Sequence, residues 1–289
     1  MRLFLLLLMV CVQFVYGDDK RSREVIVSVA PYKFFVESIA GDSVKVDVLV
    51  PPGASFHHYE PTPGQVIKAA KADIWFRIGE SFEGRALQAI TSHHPEIKIV
   101  DLRDGVNLIV VDHAHHHHEA CCHGEGGADL HIWLSLRQSK IQAKKIAEAL
   151  IAVYPEHKKE FEERLDLLLG KMERLDQEII TLLKPLKTRV MMVGHPAYAY
   201  FARDYDLRQI PVELEGKDPS AKQLTLLLHT ARELKIKTIF VQPQYNNKGP
   251  ALIAKEIGAE LIVLDPYSGD YFQTLREIAR KISLANHSL

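Results

Sequence analysis

The sequence predicts an α/β protein of two lobes, each a mostly parallel sheet with flanking helices, joined by one long rigid helix. Three observations carry this prediction. Short β-branched runs alternate with helical stretches from Val25 onward, the pattern of parallel strands covered by helices. The same alternation restarts near Arg189. Between the two blocks lies a long charged segment whose apolar residues keep helical spacing throughout.

In the first lobe, residues 18–155, strands are expected at Val25–Val29, Val44–Val50, Ile74–Ile78 and Ile97–Val100. Helices are expected at Phe34–Ala40, Pro63–Ala70, Ser81–Thr91 and Ser135–Val153. Residues 104–130 break the pattern with Gly, His and Asp and read as a long loop. The linking helix, 156–184, carries Phe161, Leu165, Leu168, Met172, Leu175, Ile179 and Leu182 at spacings of 4, 3, 4, 3, 4 and 3. Pro155 stands before it and Pro185 after it, as helix punctuation requires. Such a helix is about 44 Å long. Flanked by two sheets, it reads as a strut packed across both rather than as a free coiled coil, so limited lobe motion is expected. In the second lobe, residues 185–289, strands are expected at Arg189–Val193, Gln209–Val212, Thr238–Val241 and Leu261–Leu264, with helices near 197–204, 219–234, 248–257 and 270–285.

Composition narrows the function. The 289 residues are 47% hydrophobic and 25% charged, which excludes disordered and collagen-like classes. A formal net charge of −1 gives no electrostatic footprint for nucleic acid. The chain has 15 His against 3 Cys, and this excess of imidazole points to metal. At the N-terminus, Met1-Arg2 leads into an apolar run from Leu3 to Val15, then Val15-Tyr16-Gly17 and the charged Asp18-Asp19-Lys20-Arg21. Residues 1–17 therefore read as a secretory signal peptide cut after Gly17. The run is shorter than the roughly 20 residues of a membrane span. A lipid anchor on Cys11 is disfavoured because Val10 is not the small residue such a site takes. Cys121 and Cys122 remain; adjacent cysteines rarely bond to each other, so these read as soft metal ligands or as redox-labile passengers.

In open α/β sheets ligands bind beyond the carboxyl ends of the strands. His57 follows the strand ending near Val50, His195 follows the one ending at Val193, and Asp265 follows the one ending at Leu264. His131 lies where the long loop re-enters a helix. Each alone reads more readily as a solvated, structural or turn residue than as a ligand. Brought together between the lobes, three imidazoles and one carboxylate suit Zn²⁺, and the same set accepts Mn²⁺ or Fe²⁺. A second feature is His113, His115, His116, His117, His118 and His123, clustered within residues 112–128. Irregular spacing makes several weak, exchanging sites, an accessory zinc-collecting or zinc-sensing segment running into His131.

These residues carry a family resemblance. Gly53-Ala54-Ser55-Phe56-His57-His58-Tyr59-Glu60-Pro61-Thr62-Pro63 resembles the first-ligand loop of the metal-binding solute-binding proteins of ABC transporters for zinc and manganese. Asp129-Leu130-His131-Ile132-Trp133-Leu134-Ser135 resembles the second, with Leu130 where Pro is usual, and Gly194-His195-Pro196 the third. Val263-Leu264-Asp265-Pro266 matches the position of the C-terminal carboxylate. The resemblance covers the mature chain, and the His-rich segment is typical of zinc-type (ZnuA-like) members; no Cys stands in the second lobe, where many of these carry a disulfide. It implies His57, His131, His195 and Asp265 as metal ligands and a periplasmic protein that captures Zn²⁺ between its lobes. The ion would pass to an inner-membrane ABC permease and, through it, engage a cytoplasmic ATPase. A shuttle of this kind is most simply a monomer. The same role for Mn²⁺ or Fe²⁺ stays open, as does a different class, a secreted zinc-dependent enzyme. An enzyme needs an open coordination position and a base; the sequence has no His-Glu-x-x-His, and nothing in the pattern singles out Glu60 or Glu215 as that base.

Overall fold

The computed structural model describes residues 23–110, 127–213 and 218–287, apart from 52, 56 and 58. The expectations for residues 1–17, for Cys121, Cys122 and Glu215, and for the six histidines from His113 to His123 lie outside the described residues.

Two four-stranded parallel sheets form the frame. The first holds β1 (Glu24–Val27), β2 (Lys45–Val48), β3 (Ile74–Arg77) and β4 (Lys98–Asp101) in the order β2-β1-β3-β4. The second holds β5 (Val190–Val193), β6 (Arg208–Pro211), β7 (Thr238–Val241) and β8 (Glu260–Val263) in the order β6-β5-β7-β8. The second sheet thus repeats the topology of the first. In each sheet the chain steps outward one way from the first strand and then crosses to its other side, which opens a crevice at the strands' carboxyl ends. The central strands are nearly all apolar, as strands covered on both faces must be.

The connecting helices are α1 (Ala30–Ala40), α2 (Pro63–Ala69), α3 (Ser81–His93), α4 (Leu136–Val153), α6 (Ala199–Asp204), α7 (Ala221–Glu233), α8 (Lys248–Ile257) and α9 (Tyr271–His287). Capping boxes start α2, through Thr62 and Gln65, and α7, through Ser220 and Gln223. The first helix starts four residues earlier than expected. Val29 is extended, and Pro31 sits in the opening turn, where its missing N–H costs nothing. It ends at Gly41, whose φ of +57° suits glycine and whose Cα is covered by the guanidinium of Arg164.

The linking helix α5 spans Lys158–Leu183, 26 residues, after a single 3₁₀ turn at Pro155–His157. It buries Phe161, Leu168, Met172, Leu175, Ile179 and Leu183; Leu165 and Leu182 are half-buried at the edge of the same face. That face packs on α1 and α4 of the first lobe and on α9 of the second. One hydrophobic core therefore runs through both lobes, from Val25 and Trp75 through Met172 to Val193 and Ile278. Pleating sorts the second sheet's side chains: Met191, Val193 and Phe240 face this shared core, while Met192 and Ile239 face a separate cluster with Ile253 beneath α7 and α8. Hydrogen bonds also cross between the lobes. Trp133 Nε1 donates to Pro266 O (2.8 Å), and Tyr271 Oη donates to Trp133 O (2.8 Å). Phe34 of α1 meets Phe272 of α9 edge-on at 5.0 Å. No described helix is long and apolar enough to cross a membrane.

Candidate metal centre

Every residue of the site leaves the carboxyl end of a strand or the returning end of the long loop. His57 lies beyond β2, whose pairing with β1 continues through Leu49 N to Val27 O and Val50 N to Ser28 O. Glu80 lies beyond β3, His195 beyond β5, Glu213 beyond β6, Tyr245 beyond β7, and Asp265 and Tyr267 beyond β8. His131 arrives after an isolated antiparallel bridge between Val110 and Ala128 closes the base of the loop. Tyr200 Oη fastens that base, accepting from Ile109 N (3.0 Å) and donating to Asp129 O (2.7 Å).

The three histidines come together. His57, His131 and His195 are all buried, and their ligating atoms lie within 4.8 Å of one another. Ring centroids are 5.1 Å apart for His57–His195, 5.3 Å for His57–His131 and 5.4 Å for His131–His195. Nε2 of His57 and Nε2 of His195 are 3.2 Å apart.

Each ring turns its Nδ1 toward a carboxylate. Nδ1 of His131 donates to Asp129 Oδ1 at 2.8 Å, and that oxygen also accepts from His131 N at 2.9 Å. Nδ1 of His195 donates to Glu213 Oε2 at 3.1 Å. Nδ1 of His57 faces the buried Oε1 of Glu80 at 3.4 Å. For His131 and His195, the carboxylate accepting from Nδ1 keeps the proton there and leaves the Nε2 lone pair directed inward, the tautomer a metal takes. Burial pushes the Glu213 carboxyl up to about 7; the nearby His57 lowers it and Asp218 raises it. Aromatic walls close the pocket: Tyr245 stacks on His195 at 4.0 Å, Trp133 lies against His131 at 5.5 Å, and Tyr267 Oη lies 3.1 Å from His131 Nε2.

Asp265 does not join this group. Its side chain is exposed, and Oδ1 accepts from Tyr267 N (3.0 Å) and Gln244 Nε2 (2.8 Å), so the carboxylate is held in the turn it begins. It lines a cleft between the lobes with Lys33, Gln244 and Tyr267. Sequence reasoning, looking for histidine and aspartate after strands, passed over Glu80, Glu213, Tyr245 and Tyr267. The rule that found His195 also applies to Glu80 and Glu213, three and two residues past their strands; nothing local marks which of many such residues faces an imidazole of the other loops.

A family model for the zinc-uptake complex component A, periplasmic (ZnuA), matches residues 25–285. A crystal structure of ZnuA superposes with a TM-score of 0.85 at 37% identity, covering 92% of this chain and all of that one. A Chlamydia muridarum protein, provisionally named as metal-binding, is 34% identical over 96% of this chain and 98% of its own. The zinc-binding protein AdcA of Streptococcus pyogenes is 27% identical over 88% of this chain, which matches about half (54%) of AdcA. A family model spanning nearly the whole described chain and a ZnuA fold matched from end to end lead to one conclusion: the chain belongs to the zinc-uptake complex component A family of periplasmic solute-binding proteins.

Proposed function

We propose that this chain captures Zn²⁺ on the Nε2 atoms of His57, His131 and His195 and delivers it to an ABC permease, with a cytoplasmic ATPase driving uptake. The observation that carries the reading is the triangle of buried imidazoles, each backed by a carboxylate at Nδ1. Two donors about 2.0–2.1 Å from one tetrahedral zinc lie about 3.3 Å apart, and the 3.2 Å between His57 and His195 is of that size. An all-imidazole triangle also favours zinc over manganese, which prefers carboxylate and carbonyl oxygen. The protein works outside the cytoplasm as a monomer after residues 1–17 are removed.

Its role is binding rather than catalysis. Among the described residues, the carboxylates at the triangle, Glu80, Asp129 and Glu213, back imidazoles on their outer side rather than facing inward as a base to a zinc-bound water would. Residues 18–155 and 185–289 act as lobes on the strut 156–184, and the shared core limits their motion. Release then needs only a shift of the second lobe's loop bearing His195, when the permease docks. The histidines His113, His115, His116, His117, His118 and His123 serve as an accessory collector.

Metal stoichiometry and zinc–manganese competition on residues 18–289 test this reading. One tight zinc per chain that outcompetes manganese and disappears with His131→Ala is expected. A tight site that survives His131→Ala overturns it.

A further inference from the structure

Two helical stripes face each other where the strut meets both lobes. Phe34, Glu37, Ser38 and Gly41 recur at i, i+3, i+4 and i+7 along α1 and its C-cap. Arg164, Leu167, Leu168 and Lys171 repeat that spacing along α5. With Phe272 of α9 these stripes line a cavity of about 360 Å³, a size that takes a small organic ligand. Glycine keeps one end of it open: a Cβ at Gly41 would fall 1.6 Å from Arg164 Nη1. The aromatic end is made by Phe34 and Phe272, whose rings meet at 5.0 Å. Phe34 is seven residues up α1 from Gly41, about 10 Å along the helix.

Positive charge in this groove lacks matching anions. Arg164 Nη2 pairs with Glu160 Oε1 at 2.8 Å, but Nη1 has no hydrogen-bond partner. Lys171 is exposed and forms no ion pair among the described residues. Glu37, the carboxylate lining the cavity, is exposed and already faces Lys33 at 3.5 Å. Apolar surface lies open beside these cations: Leu167 is 66% exposed. We propose that the groove binds a medium-chain carboxylate, its head on Arg164 and its chain over Leu167 and Leu168 toward Phe34 and Phe272. Turning Nη1 off Gly41 gives the carboxylate a two-point partner, and the chain takes the exposed leucine out of water. Because α1, the strut and α9 all line the groove, one bound molecule touches both lobes and clamps them. No lining residue belongs to the histidine triangle or to the carboxylates behind it, so the site stands apart from the zinc-binding reading.

The test is calorimetric titration of the mature chain with decanoate and with decanol, both below the concentration at which they aggregate. One saturable decanoate site is expected, with decanol at least about tenfold weaker, because a charge-assisted hydrogen bond is lost. Arg164→Gln should remove that preference, and Arg164→Lys, which keeps the charge but not the fork, should restore part of it. Ser38→Leu, which fills the groove without touching a cation, should abolish binding of both probes. Decanoate should raise the melting temperature of the unsubstituted chain and not that of Ser38→Leu. His131→Ala should bind decanoate as the parent does. Absence of a saturable site overturns the proposal, as does decanoate affinity unchanged in Arg164→Gln or in Ser38→Leu. Loss of decanoate binding in His131→Ala also overturns it, because the carboxylate then sits among the histidines.

Discussion

His57 and His195, one from each lobe, meet with their Nε2 atoms 3.2 Å apart inside a buried pocket. Glu213 accepts from Nδ1 of His195, which leaves His195 Nε2 as the acceptor of a hydrogen bond from His57 Nε2. Zinc on both nitrogens displaces that proton and takes its place, so binding releases a proton and weakens as pH falls. Zinc should stabilise the fold by about 2.7 kcal/mol when it is at a hundredfold excess over its dissociation constant. The sharper expectation concerns His57→Ala, which removes a ligand and one partner of this buried hydrogen bond. Its melting temperature without added metal should fall below that of the parent chain, and the zinc-induced rise should be lost. A variant that keeps the full zinc-induced rise would show that His57 does not hold the ion.

Asp129 fixes His131 twice, through the backbone N–H and through Nδ1. Asp129→Asn keeps the shape but presents an amide, which no longer anchors the Nδ1–H tautomer. Loss of such a partner typically costs about 10–100-fold in metal affinity. Zinc titration of Asp129→Asn should fall in that range with the fold intact by circular dichroism, and an affinity equal to the parent's would show that the carboxylate is dispensable.

Glu213 makes the pH dependence specific. Burial raises its carboxyl from an ordinary 4.5 to about 7. Between those values the folded chain holds a proton that the unfolded chain has released, so this group makes stability without metal fall as pH rises from about 4.5 to 7. Zinc binding runs the other way. It needs neutral imidazoles and an ionised Glu213 at His195, and both are lost as pH falls. Glu213→Gln should flatten the stability–pH curve across that window while weakening zinc at pH 7.5 and above. Denaturant melts at several pH values decide it, and an unchanged slope would remove Glu213 as the titrating group.

The shared core predicts one cooperative unit. Met172 lies on α5 within the cluster that joins both lobes. Met172→Ala should cost about 2–5 kcal/mol. Unfolding followed by the fluorescence of Trp75 and Trp133, both in the first lobe, should coincide with unfolding followed by circular dichroism of the whole chain. Separated transitions would mean that the strut does not couple the lobes.

Much of this was legible in the order of the residues. Strand positions follow from β-branched runs such as Thr238–Val241, and the strut follows from the spacing of Phe161 through Ile179, because both signals are local and periodic. His57, His131 and His195 stood out through loop motifs and strand ends. Partnerships made by tertiary folding were not legible. The pairing of Glu80 with His57, or of Glu213 with His195, joins segments from different strands, and no spacing encodes it. Asp265 shows the converse. A carboxylate in the right place along the chain is turned into a local hydrogen-bonded corner by the N–H two residues on, and a tyrosine beside it reaches the imidazoles instead.

The final prediction separates the pocket from the His-rich segment. Whatever residues 113–123 bind, His131 is positioned by the Val110–Ala128 bridge and by Tyr200, which ties Ile109 to Asp129 across the loop's base. Deleting 113–123 leaves all of these residues in the chain. One tight zinc should therefore remain, with affinity within a few-fold of the parent's, while weaker zinc taken up at higher concentration is lost. Tyr200→Phe should do the opposite. It keeps the His-rich segment but frees Ile109 N and Asp129 O, leaving the Asp129 N–Ile109 O bond and the Val110–Ala128 bridge to hold the base, so Asp129 and with it His131 are held less firmly, and tight binding weakens while total capacity stays. Equilibrium dialysis of the two variants across a range of free zinc distinguishes these patterns. Loss of the tight site on deletion, with Tyr200→Phe unaffected, would mean that the ion is held by the histidines of the loop and that the buried triangle is only the core beneath it.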